Sequence, residues 1–545
     1  MPEYLQSIQS NGITKPPAFP VRTMAEWEEI QALTIAWRSF PDVLSEIVRY
    51  AQNECKVIIF CPDSNNVKSD LSARSVSIDN IEFVVTPTNS VWIRDYGANN
   101  IYKNEVDSLM LVDWIYNRPR PADDTIPSVL SRIKNIPLFQ MTSTPYSFIN
   151  TGGNFIPDGF GTAFASRLQL DENPGSTEVH IDSIMNQFMG IKRYVKLPNL
   201  PYDGIHHIDM HMKLLDEETL LVGKYPDGIS DGTQIEANLQ YILNNYKSVF
   251  GTPFRVIRIP MPPDPDNPSN WPSSGGTYFT FTNAAFVNKT LIVPTYYADY
   301  DTIALNILRK SLPGYNVVGI NCNQTIPSSG AIHCIVNCLG SYDPILISHQ
   351  RLPDTDNTTV AYKVNAKIVH RSGINSATVY FRTNPTERFI TVKMKLTDAA
   401  NNIWSGEIPA QPDSTTVYYY INAESNTGKT QYRPMTAPDG YWSFNVGQVV
   451  SVNEKPFIDK IQMLNVYPNP ANAITCIPIV SNKEINIDLS LFNCLGRKIL
   501  TIHNDVVPEG QSNYFFNASI LDNGIFFIRL NSEIVTQTQQ LTIRK

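Results

Sequence analysis

Over roughly the first 355 residues the apolar positions alternate between helical and strand-like spacing, and beyond that point nearly every run is strand-like. Within those 355 residues a single arrangement recurs: an amphipathic helix, a short break, then a strand of β-branched and apolar residues. It appears as "VLSEIVRYAQNECKVIIFC", "SVLSRIKNIPLFQM", "SIMNQFMGIKRYVKLP", "LQYILNNYKSVFGTPFRVIRIP" and "IALNILRKSLPGYNVVGI". Three of the breaks carry glycine, at Gly190, Gly251 and Gly314, where helix C-caps are expected. Five units at a period of about sixty residues, alike in pattern and not in identity, predict a repeat architecture.

A polar, glycine-associated cluster follows each predicted strand: "VWIRDYG" (91–97), "TGGNF" (151–155), "IHHIDMH" (205–211), "GGTYFTFTN" (275–283) and "GAIHC" (330–334). All five fall at the same phase of the repeat. Units arranged around an axis would carry them to one central place, with loops on a rigid scaffold holding the functional residues.

Residues 358–448 alternate apolar and polar positions between turn signals, which predicts an immunoglobulin-like β-sandwich. No cysteine lies inside that segment, so a disulfide-pinned core is excluded. A linker over 449–461 leads to a second all-β unit over 462–545, and residues 1–16 read as an N-terminal extension. The fold class expected is therefore α/β over 17–355, followed by two β-domains.

The net charge of −8 argues against a broad basic surface for nucleic acid. No run of about 18 apolar residues predicts a membrane span. The seven cysteines form no CxxC pair, which argues against a zinc ribbon or a disulfide scaffold. No signal peptide is visible in the polar start "MPEYLQSIQS".

The clusters supply Asp95, His207, Asp209, Asn283 and Cys334. A cysteine becomes a nucleophile when a neighbouring cation lowers its pKa, and a histidine can shuttle the proton. Two carboxylates beside a thiolate make sense when the substrate is itself cationic. A guanidinium fits, because carboxylates can grip its planar fork. The reaction implied is attack at the guanidinium carbon, loss of ammonia, and hydrolysis of a thiouronium intermediate.

Plainer readings stand beside this one. Cys334 taken alone reads as a buried filler, and Cys338 as core. His207, Asp209 and His211 would share one face of a strand and could form an iron or zinc set. Trp92 either stacks on the cation or packs in a core. Arg94 and Asp95 could be an ordinary ion pair. "TGGN" could be a tight turn in which Gly152 and Gly153 supply unusual φ. Asp123 and Asp124 read as the cap and first turn of the helix that follows. His333 loses importance beside His207.

In order, WxRD, TGGN, HxD, an asparagine ahead of "VNKTLIVP", and IHC resemble the guanidine-modifying enzymes: agmatine deiminases and bacterial peptidylarginine deiminases. The resemblance covers about residues 17–350. It implies a five-bladed pseudo-symmetric α/β-propeller (pentein) fold with no cofactor and no metal. By that pattern Cys334 is the nucleophile, His207 the general acid/base, Asp95 and Asp209 the guanidinium grips, and Asn283 an orienting amide. "YNRPRPADD" (116–124) is similar to a segment whose arginines hold a substrate α-carboxylate. Arg118 and Arg120 match it and would face one side of an extended segment. The substrate expected is thus a peptide ending in arginine, with agmatine or free arginine as alternatives. "NVYPNPA", "LFNCLGRKIL" and the terminal "GIFFIRL…LTIRK" resemble a type IX secretion sorting domain, which implies export and the secretion machinery as a partner. The given start would then lie inside a precursor, or be trimmed. A catalytically inactive surface-binding protein is the reading from a different class.

Overall fold

The computed structural model describes residues 4–5, 8, 10–267, 269–447, 461–464, 466–471, 474–481 and 483–545. Of the expected linker over 449–461, all but Ile461 lies outside these residues, as does some of the 1–16 extension.

All five helix-to-strand pairs are present. Helix α1 (Pro41–Ala51) leads to the strand Lys56–Cys61, α2 (Ile126–Lys134) to Leu138–Met141, and α3 (Glu178–Met189) to Arg193–Leu197. Then α4 (Gly232–Asn245) leads to Arg255–Pro260, and α5 (Ala298–Ser311) to Asn316–Asn321. Helix α3 illustrates why these segments form. Thr177 caps its first turn by accepting from the His180 amide, and Gly190 ends it at φ +69°. Its apolar stripe of Ile181, Ile184, Met185, Phe188 and Met189 is buried, and each such side chain contributes about 1.5–3 kcal/mol. Gly251 and Gly314 do not cap their helices: α4 and α5 end at Tyr246 and Leu312, and both glycines occupy turns further on. In those two places the break between helix and strand is longer than a single C-cap.

Each unit is built the same way. A middle strand pairs antiparallel with the strand before it and parallel with the strand reached through its helix. Leu109–Tyr116 lies between Asn99–Lys103 and Leu138–Met141, and Thr219–Lys224 lies between Met212–Leu214 and Arg255–Pro260. The sheets centred on Thr162–Ser166 and Thr290–Thr295 repeat the order. The fifth takes its strands from both ends of the region: Ile30–Ala36 pairs antiparallel with Asn337–Gly340 and parallel with Lys56–Cys61. The middle strands are apolar runs buried on both faces, as parallel pairing under helices demands.

Beyond this mixed α/β region the strand ladders are antiparallel, with isolated parallel bridges at Thr355–Val446 and Ala471–Ile543. Two sheets cover 346–446, centred on the pairs Tyr362–Val369 with Ile403–Ile408 and Ile374–Arg382 with Thr415–Ser425. Two more cover 461–543, centred on Ile474–Ser481 with Gly510–Asn517 and Ile485–Asn493 with Gly524–Ser532. Both units dock on the first region. Arg433 pairs with Glu217, Lys429 with Glu29 at 2.6 Å, and His503 Nδ1 with Asp227 at 3.0 Å. Cys476 is buried in the same apolar core as the helices and sheets of the α/β region. Among the described residues no helix is long and apolar enough to cross a membrane.

Candidate active site

In every unit the polar cluster lies immediately before the first, antiparallel strand, on a helical turn or loop rather than on the strand itself. Ile93–Tyr96 precedes Asn99–Lys103, Gly152–Asn154 precedes Ile156–Pro157, Ile208–Met210 precedes Met212–Leu214, and His333–Ile335 precedes Asn337–Gly340. Asn283 stands two residues before Ala285–Val287. One position of the repeat therefore delivers all five; side chains of four of them meet, and the fifth supplies the Gly153 backbone amide.

The Cys334 thiol accepts from Asn283 Nδ2 at 3.3 Å and lies 3.8 Å from Asp209 Oδ2. Asn283 also holds the cysteine turn: its Oδ1 accepts from the backbone amides of His333 at 3.0 Å and Cys334 at 3.4 Å. On the other side, Asp95 Oδ1 accepts from the Gly153 amide at 3.2 Å and stands 3.7 Å from His207 Nδ1. Cys334, Asp95, His207, Asp209 and Asn283 are all buried. Among the described residues, the His207 nitrogens and Asp209 Oδ1 have no hydrogen-bond partner. Burial first, then the charges of Asp209 and Asp95, push the Cys334 thiol well above the ordinary range. Burial would raise Asp209 too, but the His333 hydrogen bond and the charges of His333, His207 and Arg94 outweigh it and hold the carboxylate low.

Trp92 is half-buried against the cysteine turn. A Cβ at Gly330 would lie 2.4 Å from its Cζ3 and 3.1 Å from Cys334 Cβ, so only glycine leaves room there. Gly152 and Gly153 are needed for space and not for φ, which is negative at both. A Cβ at Gly152 would meet the Arg94 carbonyl at 1.9 Å, and one at Gly153 the His207 Nδ1 at 2.4 Å.

Several expectations change. The 207–211 segment is a 3-10 turn and not a strand, so its alternation does not put three ligands on one face. Burial pushes His211 down to about 4. The described residues contain no group of three or more His, Cys, Asp or Glu placed to hold a metal ion. Asp123 and Asp124 do not cap α2. Asp123 instead accepts from the Asn89 and Ser90 amides and the Ser90 hydroxyl, and Asp124 from the Tyr116 amide. Arg118 and Arg120 do not lie on an extended segment, because the Arg120 amide closes on the Arg118 carbonyl at 2.8 Å around Pro119. Both are half-buried, Arg120 donating to the Tyr116 hydroxyl at 3.2 Å, and neither forms an ion pair among the described residues. The charges of Arg118, His207 and Asp95 all reach Glu172, whose carboxyl burial raises, and those of Asp95, Arg120 and Arg118 all reach the Tyr116 hydroxyl.

Three residues of the site carried no weight in the sequence: Glu26, Lys213 and His333. His333 Nδ1 bonds Asp209 Oδ2 at 2.7 Å, its Nε2 faces Glu26 Oε2 at 3.2 Å, and Lys213 Nζ reaches the same Glu26 oxygen at 2.5 Å. The available signal was the histidine directly before Cys334. Glu26, in "AEWEEI", is one acid among three with no local pattern to single it out.

This arrangement and the comparisons define a guanidine-modifying deiminase of the pentein superfamily that carries a C-terminal sorting domain. The chain belongs to the family described as Porphyromonas-type peptidyl-arginine deiminase, whose model matches residues 18–338. Residues 465–544 match a secretion system C-terminal sorting domain, which marks the protein for secretion or cell-surface attachment. A Legionella pneumophila (strain Paris) relative named "Putative agmatine deiminase" is 24% identical over 344 residues, covering 59% of this chain and 96% of the relative. One of the same name from Vibrio parahaemolyticus is 22% identical over 292 residues, 48% and 79% of the two chains. The solved agmatine deiminase of Enterococcus faecalis aligns at a TM-score of 0.52 and 17% identity, over 60% of this chain and all of that one, and shares its fold.

Proposed function

We propose that this chain hydrolyses a guanidinium to a urea, with Cys334 as nucleophile, His207 as general acid/base, Asp95 and Asp209 as grips and Asn283 as the amide that orients the thiol. The five α/β units form a five-bladed propeller with the site on its axis, and 358–448 an immunoglobulin-like sandwich. The observation that carries the reading is the convergence of one position from all five units on a single buried thiol and two carboxylates.

A bound guanidinium supplies the positive charge that the free site lacks, and so favours the thiolate beside two carboxylates. The thiol gives its proton to His207 as Sγ bonds the guanidinium carbon. The C–N bond breaks as His207 gives a proton to the leaving nitrogen, and ammonia departs. Water attacks the thiouronium carbon, His207 takes its proton, and the C–S bond breaks to release the ureido product and restore the thiol.

For the substrate, the arginines at 118 and 120 support a peptide ending in arginine, because the charges of both reach the same buried tyrosine as Asp95 and neither forms an ion pair among the described residues. The product is then citrulline. Agmatine is the second reading, and the curated relatives weigh toward it through their name. A substrate panel separates the two. Replacing Arg118 or Arg120 with alanine weakens the C-terminal-arginine peptide alone if the first holds, and agmatine turned over far better than that peptide would establish the second.

A further inference from the structure

Behind the two gripping carboxylates runs a buried row of hydrogen-bonded ionisable side chains: Asp209, His333, Glu26, Lys213. Asp209 and Lys213 come from the unit centred on Thr219–Lys224, His333 from the turn before Asn337–Gly340, and Glu26 from the segment leading into Ile30–Ala36; all but Glu26, which is 19% exposed, are almost fully enclosed. The backbone on both sides is tied down. The His333 amide donates to Asn283, and Glu26 Oε1 accepts from the Phe286 amide at 3.2 Å. The row acts on one oxygen of Asp209. Oδ2 is taken by His333, whereas Oδ1 is buried with no partner among the described residues.

We propose that His333, held by Glu26 and Lys213, is a positioning residue that fixes Asp209 for its grip on the guanidinium. Without it Asp209 would be free to rotate, or to turn Oδ2 toward the thiol 3.8 Å away. Glu26 is the place to test this. It lines a cavity of about 50 Å³ together with His333, and neither Cys334 nor Asp209 borders that cavity. A change at Glu26 reaches Asp209 by hydrogen bonding only through His333, and otherwise only through the charges of Lys213 and Arg94, which both carboxylates feel; the paired His333→Gln variant isolates the hydrogen-bonded route. The proposal rests on the reading of Asp209 as a grip, so its test avoids turnover.

The measurement compares Cys334 alkylation in the full chain by chloroacetamidine, a small amidinium, and by iodoacetamide, which is neutral. Each rate is taken relative to a free thiol in solution. In the wild type the cation is preferred. Glu26→Ala and His333→Gln reduce that preference about tenfold or more, the equivalent of one charge-assisted hydrogen bond, while the iodoacetamide rate stays within about twofold. Glu26→Gln, whose amide oxygen still accepts from Nε2, retains some of the preference. A change in the thiol's ionisation moves both reagents equally and leaves the ratio alone. Where a substrate is turned over, KM rises more than kcat falls.

An unchanged ratio in Glu26→Ala overturns the proposal, as does a wild type with no preference for the cation. Both rates falling together with the melting temperature also overturns it, since that is the signature of a purely structural ion network. If His333→Gln does not fold, the two Glu26 variants decide. Absence of ammonia release with the preference intact would count against the proposed reaction and leave the positioning role standing.

Discussion

At Cys334, burial and two neighbouring carboxylates all act against ionisation, so the free site holds a neutral thiol and waits for a cation. In the ligand-free protein, alkylation by neutral iodoacetamide should therefore keep rising, by about tenfold per pH unit, through and beyond pH 9. A plateau near pH 7 would mean a thiolate formed without substrate. The side chains that meet around Cys334 could be picked out one by one, because Cys, His and paired Asp have few joint uses. What the chain alone concealed was the support behind them. Glu26 and Lys213 acquire meaning only when residues nearly two hundred positions apart are brought into contact. His333 was visible beside the cysteine, but its partners were not.

Among the elements, the helix-to-strand repeat was readable because a 3.6-residue stripe and a β-branched run are unlike in period. The segment 203–211 was not. Its alternating polar residues imitate a strand, yet a 3-10 turn forms, preceded by His206 at φ +55°. The same segment buries Asp203, whose Oδ1 accepts from the Ile205 amide while Oδ2 has no partner. Burial raises that carboxyl to about 7, with the His207 charge acting the other way. A carboxyl raised on folding contributes stability that is fully present below its unfolded pKa and is lost as pH climbs through the folded value. Asp203→Asn removes this loss. Its gain in melting temperature over wild type should thus grow between about pH 4 and pH 7 and level off above, as thermal melts across that range would reveal. A gain that shrinks with rising pH would contradict the assignment.

For the whole molecule, the change from mixed α/β to all-β was evident from the shift in apolar period near residue 355, but the docking of the β-structure on the first region was not, since it depends on single charged pairs. Arg433 reaches across to Glu217, which is almost fully buried on the α/β region. Arg433→Met leaves that carboxyl without its cation and should cost on the order of 3 kcal/mol, measured by denaturant unfolding. A loss below about 0.5 kcal/mol would make the pair a surface-like contact. The sorting domain also packs on the α/β region, through Asn513 to the Arg258 carbonyl at 3.2 Å and Lys310 over Tyr467.

The central claim is that five turns from five units assemble one thiol-dependent guanidinium hydrolase. It is tested most directly by measuring ammonia and ureido product from a C-terminal-arginine peptide, agmatine and free arginine, with wild type and Cys334→Ala side by side. The account predicts stoichiometric ammonia and citrulline from the peptide and none with Cys334→Ala. Agmatine as the better substrate would move the specificity and keep the chemistry. Turnover that survives Cys334→Ala, or no ammonia from any of the three, would contradict it.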